Sequence, residues 1–96
     1  MTKLTEAEIE KALAATPEWS EVSGEIQRTF EFANFREAMG FVNAIAEAAD
    51  RAQHHPDIMI RYNRVTLSVS THDAGGITSK DFDLAREADA AATQAS

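Results

Sequence analysis

The spacing of apolar residues changes along the chain, and each change marks an element. Near the start, Thr5 is followed three residues later by Glu8. In that pattern an N-cap hydroxyl and an N3 carboxylate satisfy each other's backbone N–H groups, and Leu4 and Ile9 are placed as a hydrophobic staple. A helix from about Glu6 to Ala15 follows, ending before Thr16-Pro17. Ile26 to Phe32 then alternates largely apolar with polar, and joins a short Trp19 to Val22 segment across Ser23-Gly24, the pattern of a hairpin. Asn34 with Glu37 repeats the capping pattern. Behind it Phe35, Ala38, Val42, Ile45, Ala49 and Ala52 recur at steps of three and four, one stripe of an amphipathic helix. This helix should stop near Gln53, because Pro56 pushes His55 out of the helical region. Two more strands, Ile58 to Tyr62 and Val65 to Thr71, are joined at Asn63-Arg64, where asparagine tolerates the positive φ of a tight turn. Val65, Leu67 and Val69 share one face, and Thr66, Ser68, Ser70 and His72 the other. Gly75-Gly76 breaks the chain, and Thr78 opens a last, alanine-rich helix. The order α-ββ-α-ββ-α predicts an α+β domain: a four-stranded antiparallel sheet with three helices packed on one face.

Ninety-six residues suffice for one domain with one core, spanning residues 1–96. Apolar residues at 44% and charged residues at 26% are ordinary globular usage. Nine basic against sixteen acidic residues give a net charge of −7, which repels phosphate backbones and leaves no basic patch for nucleic acid or an anionic membrane. The absence of cysteine excludes disulfides, thiolate nucleophiles and cysteine-containing zinc sites. The opening MTKLTEAEIEKAL is too charged for a signal peptide, and no apolar run is long enough for a bilayer span, so a cytoplasmic location is expected.

All three histidines fall between Gln53 and Gly76. A two-residue turn at Asn63-Arg64 would set Tyr62 opposite Val65, Ile60 opposite Leu67 and Ile58 opposite Val69. Carried to the end, it sets His55 opposite His72, with Cβ atoms roughly 4.5–5.5 Å apart. His54 lies at the rim, its aim left open by the helix-to-strand turn. Converging imidazoles point to acid–base chemistry near neutral pH. Taken alone, a histidine at a strand end is usually a surface or capping residue. Three imidazoles could also hold zinc, although adjacent strand residues alternate in direction and no carboxylate completes a known ligand spacing. Asp81, at N3 of the last helix, could simply pair with Thr78 in a capping box.

Asp50-x3-His54-His55-Pro56, continued by Tyr62, His72 and Asp81, resembles the signature of the pterin-4a-carbinolamine dehydratases. The YN-x-V turn, Ser70-Thr71-His72, the Gly75-Gly76 bend and Trp19 with the Phe30/Phe32 strand fit the same family. The resemblance implies the fold argued above, a homodimer or dimer of dimers, and no metal or other cofactor. It implies dehydration of 4a-hydroxytetrahydropterin to quinonoid dihydropterin in tetrahydrobiopterin recycling, downstream of a pterin-dependent aromatic amino-acid hydroxylase. On matching positions His54, His55 and His72 are the catalytic candidates, His54 and His72 for proton transfer and His55 for holding the C4a hydroxyl. Ser70, Thr71, Asp73, Asp81, Pro56 and Trp19 are the substrate-binding candidates. Gln53 stands where some relatives carry an acidic residue, which weakens the case for a carboxylate beside His54. Other members of this family are non-catalytic coactivators or assembly factors, a binding role that their helical surface carries.

Overall fold

A computed structural model describes residues 2–95. The elements are α1 (Glu6–Ala15), β1 (Ser20–Val22), β2 (Glu25–Glu31), α2 (Phe35–Ala52), β3 (Asp57–Arg61), β4 (Arg64–Val69), a 3-10 turn at His72–Ala74, and α3 (Ser79–Ala95). The four strands form one antiparallel sheet in the order β1-β2-β4-β3. The α-ββ-α-ββ-α order is therefore as predicted, and both helix starts follow their capping signals. Thr5 Oγ1 accepts from Glu8 N while Glu8 accepts from Thr5 N, and Asn34 Oδ1 accepts from Glu37 N.

The core lies between one sheet face and the helices. Ile26 and Phe30 from β2 and Val65, Leu67 and Val69 from β4 are buried there against Ala38, Phe41 and Ile45 of α2 and Phe82, Leu84, Ala85 and Ala88 of α3. Phe41 stacks at 4.6 Å from Phe30 and 5.0 Å from Phe32, measured between ring centroids. Such aromatic contacts add to the area each ring buries. The opposite sheet face is polar, with Thr29 bonded to Thr66 and Gln27 to Ser68 across β2 and β4.

The β3–β4 turn differs from its prediction. The central residues are Tyr62 and Asn63, so Arg61 faces Arg64, Ile60 faces Val65 and Ile58 faces Leu67. Tyr62, not the asparagine, takes the positive φ of 53°. Asn63 is held elsewhere: its carbonyl accepts from Phe32 N at 2.9 Å and its Nδ2 donates to Phe32 O at 2.8 Å. This pair pins the turn to the end of β2. The register moves by two residues, which keeps every side chain on its predicted face but removes the direct opposition of His55 and His72.

Candidate functional site

The histidine pair is placed by the end of α2. Gln53 adopts a left-handed conformation (φ 52°, ψ 43°), its N–H bonds Asp50 O, and His54 N–H bonds Ala49 O at 3.0 Å. This is the six-to-one closure that ends many helices, here with glutamine in the position glycine usually takes. The chain leaves it extended through His55, as the following proline requires, and enters β3. Successive side chains then point opposite ways.

His54 turns inward. Its side chain is only 11% exposed and its Nε2 lies 2.5 Å from Oδ1 of Asp81, which is wholly buried. His55 turns outward and rests on Asp50, Nε2 to Oδ1 at 2.9 Å, with both side chains exposed. A pair this open to water contributes at most about 1 kcal/mol. His72 begins the 3-10 turn just past β4. Thr71 and Gly76 bond each other's backbone across its base, with Thr71 N to Gly76 O at 2.9 Å. Gly75 closes the turn at φ 77°, a conformation glycine adopts without strain.

His55 and His72 meet across a cavity of about 230 Å³ at the open end of the sheet, lined also by Glu25, Asp57, Ser68, Val69 and Ser70. Two of the three imidazoles thus share a cavity, while the third, His54, stands behind them on the helix side of the strand entry. Among the other candidates, Ser70 is in the cavity wall, Pro56 adjoins it, and Asp73 is exposed on the 3-10 turn. Thr71 is buried, and its hydroxyl is engaged by Thr78 Oγ1 at 2.7 Å and Asp81 Oδ2 at 3.0 Å. Asp81 Oδ2 also accepts from Thr78 N at 2.8 Å, so it caps α3 and holds His54 at the same time.

Trp19 does not join the histidines. It is buried edge-on to Phe30, and its Nε1 donates to Asp89 at 2.8 Å, beside Arg28. Asp89 is eight residues beyond Asp81 on α3, about 12 Å along the axis, so Trp19 is a core residue at the far side of the sheet. Conversely, Asp50, Glu25 and Asp57 touch or line the site without having been named as site candidates. Asp50 stood at the head of the signature, and the end of a helix one turn before His54 was the available clue.

Residues 2–91 match the family model of pterin 4 alpha carbinolamine dehydratase. The chain belongs to that dehydratase family. It is 58% identical over 84 residues to a Picosynechococcus protein named "Putative pterin-4-alpha-carbinolamine dehydratase", covering 88% of this chain and 91% of that one. A Chloroflexus aurantiacus protein of the same name is 56% identical over 89 residues, covering 93% and 96% of the two chains. Among solved structures, a transcriptional coactivator/pterin dehydratase from Brucella melitensis superimposes with a TM-score of 0.92 at 38% identity, over 95% of this chain and 99% of that one. A pterin dehydratase-like RuBisCO assembly factor of the alpha-carboxysome shares the fold alone, at a TM-score of 0.64 and 19% identity over 77% of this chain and 86% of that one. In this dehydratase-family chain no helix among the described residues is long and apolar enough to cross a membrane.

Proposed function

We propose that this chain converts 4a-hydroxytetrahydropterin to quinonoid dihydropterin and water. The observation that carries the reading is the cavity shared by His55 and His72, with His54, the residue before His55, held on Asp81. The reaction is an elimination without redox change. A base takes the N5 proton, the N–H electron pair forms the C4a=N5 bond, the C4a–O bond breaks, and an acid protonates the departing hydroxyl as water. Acid and base must therefore flank two adjacent ring atoms, and imidazoles serve in either capacity near neutral pH. His54 and His72 are assigned the proton transfers and His55, steadied by Asp50, the C4a hydroxyl. Ser70 and the carboxylates of Glu25 and Asp57 supply polar contacts for the amide-rich pyrimidine ring.

The test is direct. Carbinolamine generated by a pterin-dependent aromatic hydroxylase should lose water faster, followed by absorbance, when this chain is added. Dehydration no faster than in its absence would discard the reading.

The reading extends to a homo-oligomer. β3 is an edge strand with Ile58, Met59 and Ile60 exposed on it and Tyr62 exposed beside it, a combination that invites pairing with another strand. The segment Asp57-Ile58-Met59-Ile60-Arg61 is self-complementary. Antiparallel pairing with a second copy about Met59 sets each Asp57 against the other's Arg61 and stacks the isoleucines. Arg61→Asp should therefore shift the mass measured by light scattering toward monomer, and adding Asp57→Arg should restore it. Unchanged mass in Arg61→Asp would remove this interface.

A coactivator or assembly role has one feature in its favour: a shallow groove between α2 and α3 lined by Gly40, Ala44, Ala91 and Ala95. It involves none of the histidines.

A further inference from the structure

Behind the cavity lies a chain of hydrogen bonds whose direction is determined. Lys80 N–H donates to Thr78 Oγ1 at 3.2 Å. Thr71 Oγ1 donates to Asp81 Oδ2, so the 2.7 Å contact between the two hydroxyls must carry the proton of Thr78 toward Thr71. Asp81 Oδ2 receives a second donor from Thr78 N–H. With two donors aimed at it, Oδ2 has no place for a proton. The other oxygen, Oδ1, faces only Nε2 of His54. Among the described residues Nδ1 of His54 makes no hydrogen bond, and no buried side-chain nitrogen or oxygen lacks a partner. Nδ1 is thus the ring atom left open toward the outside.

We propose that Thr71 and Thr78 are positioning residues that act through Asp81. They fix the proton of His54 on Nε2, leave Nδ1 as the nitrogen that exchanges protons with substrate, and tie to the same carboxylate the turn that carries His72. Thr71 immediately precedes His72, and its backbone closes that turn on Gly76. One carboxylate therefore sets both proton-transferring histidines, Oδ1 directly and Oδ2 through a hydroxyl. A carboxylate that selects the tautomer of a catalytic imidazole is a general device, and its replacement by an amide leaves the ring in the wrong tautomer. The assignment of Thr71 changes with this: its hydroxyl is spent on Asp81 and is not offered to a ligand.

The inference rests on the proposed dehydration for its kinetic consequence, but the tautomer is measured without substrate. Long-range ¹⁵N–¹H correlation spectra of the full chain should show neutral His54 protonated on Nε2. In Thr71→Val, which keeps the shape and removes the donor, Oδ2 loses a partner and the His54 signals should move toward a tautomer mixture. kcat should fall about tenfold, the rate equivalent of one hydrogen bond, while KM stays within about twofold, since no ligand contact is lost. Thr71→Ser restores the hydroxyl and should restore both readouts. Asp81→Asn should move the His54 proton to Nδ1, because the amide N–H₂ then faces Nε2. A wild-type His54 protonated on Nδ1, or a Thr71→Val chain with unaltered His54 signals, would overturn the proposal. Wild-type spectra and Thr71→Val shifts as expected, in a chain that dehydrates nothing, would uphold the relay and overturn the reaction instead.

Discussion

Replacing His72 with alanine is expected to lower the rate of carbinolamine dehydration by about 10² or more, the usual contribution of a positioned acid–base group. The position makes the experiment clean. His72 is exposed at the start of a 3-10 turn, outside the core, and among the described residues no hydrogen bond or ion pair of its side chain is found. Surface substitutions of that kind change stability by no more than about 0.5 kcal/mol, so a thermal midpoint within a few degrees of wild type is part of the expectation. What remains is chemistry. His55→Ala removes the other cavity imidazole and should act mainly through a weaker hold on the hydroxyl, raising KM as well as lowering kcat. Stopped-flow absorbance with the carbinolamine as substrate separates the two. A His72→Ala chain that is folded and dehydrates at the wild-type rate would move the proton transfer elsewhere, to His54 and His55 alone.

The fold was legible because its signals are local. Two capping pairs, Thr5 with Glu8 and Asn34 with Glu37, start helices where the backbone N–H groups need them. The three-and-four stripe of α2 and the alternation of β2 and β4 each report which face is buried. The turn of β3–β4 was misplaced for a non-local reason. Asparagine is the better left-handed residue by local preference, yet Asn63 is bonded twice to Phe32 on another strand, and the strain passes to Tyr62. Because the resulting shift is two residues, the burial of Val65, Leu67 and Val69 was foreseen while the pairing of His55 with His72 was not.

The candidate residues were legible in the sequence, but not their geometry. His54 and His55 were seen as neighbours, but only the left-handed Gln53 decides that one turns inward and the other outward. Gln53 itself pointed away from a carboxylate beside His54. The structure supplies one from α3, twenty-seven residues later, in a side chain that sequence could equally read as a helix cap. Trp19 illustrates the converse. An aromatic residue is as useful to a flat ligand as to a core, and here the core takes it.

The second large effect is on stability. Asp81 is completely buried, accepts from Thr71 Oγ1 and Thr78 N, and lies within hydrogen-bond distance of His54 Nε2. Asp81→Ala leaves three polar groups facing a void, one of them on a helix start. Leaving a buried polar group without its partner typically costs about 1–3 kcal/mol, and three are left here. That is a large part of the 5–15 kcal/mol available to a domain of this kind. The midpoint of thermal unfolding should fall by about 15 °C or more, at roughly 4–8 °C per kcal/mol for a chain this short. Asp81→Asn keeps an oxygen for Thr71 and Thr78 N and should lose much less, although it should move the His54 proton to Nδ1. The two variants therefore separate what the carboxylate does for the fold from what it does for the chemistry. Calorimetry with Asp81→Ala unfolding within a few degrees of wild type would mean that His54, Thr71 and Thr78 find other partners. Asp81 would then be an ordinary cap of α3, and the proposed link between His54 and His72 would dissolve with it.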